Sequence, residues 1–168
     1  MGMTACYMEA SSALIEELKK KTSGEIFDRI EELQDEDELR IYDMDKLWDG
    51  LHFLLTGVSA VAPAAGDPLS EAIIGTRLFI TEQSADYISY INPPRAAEIS
   101  AALDSFDIEK ALSDFTPSTL AKNDIYPTIW RDDDKDGLSD ELRGEFEGIR
   151  QFFREMRDAH QGVIVSIY

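Results

Sequence analysis

Leu138, Leu142, Phe146, Ile149, Phe153 and Met156 follow one another at steps of three and four residues. That spacing puts them on one face of a long helix. Ile26, Ile30 and Leu33 repeat the rhythm in a helix that Ser23 caps, and Ile108, Leu112 and Phe115 repeat it in a shorter one. "SSALIEELKKK" (11–21) begins with capping serines and ends in lysines, the polarity that complements a helix dipole, and predicts a helix ending near Thr22. The charged run "QDEDE" (34–38) breaks the second helix and predicts a solvated turn. "DPLSEAIIG" (67–75) carries a capping Asp67, Pro68 at the first helical position and a closing Gly75; "NPPRAAEISAAL" starts another helix with its prolines in the first turn. Residues 123–130, "NDIYPTIW", predict a loop or short extended piece anchored by Tyr126 and Trp130.

Strand signals are fewer. "TACYMEA" (4–10), Leu39 with Ile41, "DYISYI" (86–91) and the terminal "VIVSIY" (163–168) have strand length and β-rich composition, and the last is apolar enough to lie inside a sheet. Three or four short strands among about six helices, without regular βαβ alternation, predict an α+β fold. A chain of 168 residues reads as one domain over residues 1–168.

The most apolar segment is "LRIYDMDKLWDGLHFLLTG" (39–57). Asp43 or Asp45 can cap a helix through Trp48, Leu51, Phe53, Leu54 and Leu55 to Gly57, and its hydrophobicity on nearly all sides predicts a central position. Asp45, Asp49, His52 and Thr56 then fall on one polar stripe. Asp49 could orient the His52 imidazole and leave its other nitrogen as acid, base or ligand. The simpler reading is a core histidine bonded to a backbone carbonyl. His160 reads as a capping residue facing the dipole of the last helix, with Gly162 as its left-handed cap, and Cys6 reads as a small buried apolar residue.

Charge changes the picture most: 34 acidic against 16 basic side chains, a formal −18. Such a field repels nucleic acid and anionic lipid and attracts basic partners. One cysteine fits a reducing compartment and no signal-peptide pattern opens the chain, so a cytoplasmic protein without membrane contact is expected. One cysteine and two histidines support neither a zinc site nor a nucleophile triad, and no phosphate loop is present, so no cofactor is expected.

"RDDDKDGLSDEL" (131–142) imitates a calcium loop. With Gly137 at the sixth place, Asp132, Asp134 and Asp136 fill the first, third and fifth; the eighth is then Ser139 and the twelfth, which should supply a bidentate carboxylate, is Arg143. A cation there repels Ca²⁺. The local reading is a solvated turn, with Ser139 capping the long helix and Asp140 and Glu141 in its first turn.

"MGMTACY", "LWDGLHFLLTG", "DPLSEAIIG", "IYP" near Trp130, and a last helix followed by a short apolar strand occur in this order over nearly the whole chain. Together they resemble the YfbM-like family of small bacterial proteins, also called domain of unknown function 1877. The resemblance implies a single α+β domain with no established activity. Its motif includes Trp48, Leu51, His52, Thr56, Gly57, Asp67 and Pro68 without giving them a catalytic role.

Two functional readings are open. The preferred one is a non-enzymatic interaction domain for a basic protein partner, in the manner of small immunity proteins, with charge speeding the encounter. The alternative is a small-ligand binder or enzyme with a site around Asp49, His52 and Thr56, helped by Trp48, Asp67 and the 57–67 loop. A pocket-lining imidazole favours the alternative; a buried one favours the interaction domain.

Overall fold

The computed structural model describes residues 2–79 and 87–168. Five antiparallel strands, β1 (Ala5–Ala10), β2 (Ile41–Asp45), β3 (Arg77–Leu78), β4 (Tyr87–Ile91) and β5 (Gly162–Ile167), form one sheet in the order β2-β1-β5-β4-β3. Asp86, the first residue of the predicted fourth segment, lies outside the described residues. Around the sheet run α1 (Ser12–Leu18), α2 (Ser23–Asp35), α3 (Trp48–Thr56), α4 (Pro68–Ile74), α5 (Pro93–Ser105), α6 (Ile108–Asp114), α7 (Pro117–Lys122) and α8 (Lys135–Ala159). The fold is α+β, with more strands and helices than the sequence pattern predicts.

The terminal segment becomes the middle strand for a simple reason. Val163, Val165 and Ile167 point into the large core built with α3 to α8, while Ile164 points into a second core with Ile15, Leu18, Ile26, Ile30 and Leu33 of α1 and α2. A strand covered by helices on both faces needs no polar alternation. The buried face of α8 is the predicted one with Phe152 added.

Several boundaries differ from expectation. α1 stops at Leu18, because Thr22 is extended and opens α2: its N–H donates to the Glu25 side chain at 2.8 Å in a capping box. Thr22, not Ser23, is therefore the cap. α2 runs into the acidic run as far as Asp35. Asp43 and Asp45 belong to β2, so neither caps α3; Leu47 holds that position without a side-chain bond. α8 begins at Lys135, behind a 3₁₀ turn at Asp132–Asp134, which makes Ser139 an interior helical residue. Its left-handed C-cap is His160 (φ 55°), and Gly162 already starts β5. α7 buries only Pro117 and Leu120, too few for a periodic stripe.

Candidate functional site

Gly57, left-handed at φ 79°, ends α3 and turns the chain into the loop that leads to α4. Asp45 is absent from the polar stripe because it sits on β2, one element earlier. The stripe is Asp49, His52 and Thr56. Trp48 stands apart: its indole N–H donates to the Met3 carbonyl at 3.1 Å and its ring packs on Tyr126, so it anchors the N-terminal segment. Asp67 caps α4, accepting from the Leu69 N–H at 2.9 Å.

His52 is enclosed, with no exposed surface. Nδ1 lies 2.8 Å from the Val58 carbonyl oxygen and Nε2 lies 2.7 Å from Ser70 Oγ. A carbonyl only accepts, so Nδ1 carries the proton and Nε2 accepts from the serine hydroxyl. Thr56 Oγ1 donates to the His52 carbonyl at 2.8 Å. Asp49 does not orient the ring. Its carboxylate accepts instead from Ser59 Oγ at 3.0 Å, the Ala60 N–H at 2.7 Å and the Tyr126 N–H at 3.0 Å. The stripe ties two loops to α3, and the imidazole is sealed from solvent.

Burial pushes the His52 pKa below its ordinary value, against smaller opposing effects of the Val58 carbonyl and the Asp49 and Asp67 carboxylates. The unfolded chain therefore takes up this proton more readily than the folded one. Stability from this group is complete above the unfolded value of about 6.5 and falls as pH drops below it toward the folded value. Urea midpoints between pH 7.5 and 5 should fall more for the wild type than for His52→Gln. Parallel curves for the two proteins would refute this.

The loop at 57–66, "GVSAVAPAAG", contains no charged residue, yet Val61 is 85% exposed. A groove of about 530 Å³ runs beside it, walled by Pro63, Gly66, Ser70, Glu71, Thr76 and Tyr87. Two of its polar side chains are occupied: Ser70 faces His52, and Glu71 accepts from Arg95 at 2.6 Å and Thr76 at 3.1 Å.

The calcium candidates do not converge. Asp132 accepts from the Ser118 N–H at 2.9 Å and so caps α7; Asp134 is the N-cap position of α8, and Asp136 lies in its first turn. Helical backbone from Lys135 onward replaces the loop path that a calcium site needs. Among the described residues, no three His, Cys, Asp or Glu side chains group as metal ligands. Cys6 is buried, and burial, with the Asp43 carboxylate adding, pushes its thiol up to about 12. It remains a protonated thiol at neutral pH.

A second concavity escapes sequence reasoning. Between β2 and α8 lies a cleft of about 390 Å³, with Tyr42, Met44, Leu47 and Ile129 as apolar walls, Asp45, Glu141 and Glu145 as carboxylates and Lys46 as a cation beside them. The Tyr42 hydroxyl donates to Glu145. Burial raises the Glu145 carboxyl above its ordinary range; Asp45 and Glu141 add to the rise and the Tyr42 bond opposes it. The available signal was the pair of glycines, Gly144 and Gly148, inside a predicted helix.

A family model described as Domain of unknown function (DUF1877) matches residues 1–166. Protein YfbM of Escherichia coli (strain K12) is 33% identical over 148 residues, which is 86% of this chain and 81% of that protein. The crystal structure of YfbM from Escherichia coli, described as a protein of unknown function, superposes with a TM-score of 0.79 at 27% identity, over 98% of this chain and 99% of that one.

Proposed function

This chain belongs to the DUF1877 family, and from that premise we propose that it is a non-enzymatic interaction domain for a basic protein partner, acting in the cytoplasm as small immunity proteins do. The observation that carries the reading is how the charge is distributed. Arg29, Arg95, Arg143, Arg150 and Arg157 are each engaged with carboxylates. Asp35, Glu36, Asp37 and Glu38, all exposed, form no ion pair among the described residues. These five arginines are neutralised within the molecule while the 35–38 carboxylates are presented outward, an arrangement that steers a cationic partner. Among the described residues no helix is long and apolar enough to cross a membrane.

The ligand or enzyme reading around Asp49 and His52 is not carried forward, since the imidazole has no open face and both its nitrogens are bonded. The test is affinity capture of the tagged protein from lysate of its source, washed at low and then high salt, with mass spectrometry of what is retained. A basic partner in stoichiometric amount that leaves with salt is the expected result. Background alone at low salt would overturn the reading.

A further inference from the structure

We propose that the small cavity between α2 and the sheet takes the ammonium group of a lysine side chain of the basic partner. The inference rests on the interaction reading above and gives it a location.

The second core covers one face of the sheet with α1 and α2, and the row Met8, Ile164 and Tyr90 on that face is hydrophobic. The next row is not. Asp43, Cys6, Ser166 and Ile88 stand opposite one another on β2, β1, β5 and β4, two residues along from the hydrophobic row and so on the same face. Between this row and α2 lies a cavity of about 50 Å³, larger than one water needs, walled by Phe27, Ile30 and Ile88 with Glu31, Gln34 and Ser166 as polar groups.

Each of these three groups offers an acceptor that no donor uses among the described residues. Ser166 is only 3% exposed, and its hydroxyl forms no hydrogen bond among those residues. Buried hydroxyls ordinarily find partners, so an orphan facing a cavity marks the place of something that fills it. Gln34 Nε2 donates to Cys6 Sγ at 3.3 Å, which leaves the amide oxygen free. Glu31 enters no ion pair among the described residues; Arg29, two residues before it, pairs with Glu17 and Glu32 instead. Neither lysine nor arginine lines the cavity among those residues. Burial raises the phenol of Tyr168 at the rim, and Cys6, Asp43 and Glu31 add to the rise against the opposing Gln34.

This chemistry selects the occupant. A carboxylate, an amide oxygen and a hydroxyl around a narrow apolar cavity match an ammonium, which carries three N–H donors on a slim alkyl stem; a guanidinium is planar and wider. The exposed run Asp35–Glu38 directly follows Gln34, so the charge that draws the partner in lies beside the cavity.

The test titrates the intact protein with a hexalysine peptide by calorimetry at low salt. Ser166→Val removes the hydroxyl and fills the cavity without changing any charge, and a β-branched residue suits the middle strand, so it should melt at or above the wild-type temperature. It should bind hexalysine about tenfold more weakly, the loss of one hydrogen bond from a charged donor. Ser166→Ala takes away only the hydroxyl; it should weaken binding as well and keeps the test decisive if valine disturbs the strand. Glu31→Gln should weaken binding more than the equal charge removal Glu36→Gln. A hexa(trimethyllysine) peptide keeps the charge and loses every head-group N–H, and the wild type should hold it no better than Ser166→Val holds hexalysine. Equal hexalysine binding by the wild type and both Ser166 variants would overturn the lysine site, leave water as the content of the cavity and leave the basic-partner reading standing. No hexalysine binding by the wild type would overturn both. If spermidine displaces the peptide at matched charge concentration and is itself blocked by Ser166→Val, the occupant is a free polyamine and the protein partner is wrong for this cavity.

Discussion

Asp49→Ala should lower the stability of the fold by about 3–5 kcal/mol, since each buried donor deprived of its acceptor costs about 1–3 kcal/mol. Three donors depend on this one carboxylate: Ser59 Oγ, the Ala60 N–H and the Tyr126 N–H. Two are backbone groups, one in the loop that follows α3 and one seventy-seven residues along the chain, and each would lose an attachment to α3. Removing the charge also removes its desolvation cost, which holds the loss below the sum of the three terms. For a domain of this size the melting temperature should drop by about 10 °C. Asp49→Asn keeps an acceptor oxygen and should lose less. Urea denaturation distinguishes the cases, and an alanine variant within about 1 kcal/mol of wild type would refute the role given to Asp49.

The second large effect is expected at the contact of Gly50 and Trp130. Trp130 is buried, its indole N–H donates to the Ile125 carbonyl at 2.8 Å, and its ring lies edge-on to Phe115. Gly50 permits this, because a Cβ at position 50 would enter the indole. Trp130→Ala should cost about 3–5 kcal/mol as a large buried aromatic is lost. Gly50→Ala should cost about 1–3 kcal/mol in the wild type through overpacking. In the Trp130→Ala background the same change should become neutral or stabilising, since only the helix preference for alanine remains, about 1 kcal/mol. Additive costs in the double-mutant cycle would show that the two residues do not meet as described.

These two sites also explain the limits of sequence reading. Periodicity located α3, and Gly57 marked its end, because both are local properties. Periodicity also put His52 and Asp49 on one stripe, but it could not say what each faces. The partners of His52 are a carbonyl six residues on and a serine eighteen residues on; one partner of Asp49 is seventy-seven residues away. Asp45 failed as a stripe member for the opposite reason: pairing with Ala5 kept it in β2, a non-local preference that overrode the local signal for a cap.

The calcium resemblance failed through context as well. Three alternating aspartates and a glycine make a ligand pattern only if the backbone loops around them, and here the long helix starts four residues before the expected Ser139. The hydrophobic face from Leu138 was read correctly, while the first turn, which buries nothing, was not legible from burial.

By itself, then, the sequence determined the α+β class, the long amphipathic helix, the caps at Asp67 and Gly57, the buried terminal strand, the acidic charge and the family resemblance. Each follows from the type and spacing of neighbouring residues, which act over one or two turns. Tertiary structure alone decided that Val163–Ile167 lies at the centre of the sheet, that His52 is sealed against Val58 and Ser70, and that β2 and α8 leave a cleft lined by carboxylates. Those outcomes depend on which surfaces meet across the chain, and a one-dimensional pattern fixes which face of an element is buried without naming what it is buried against.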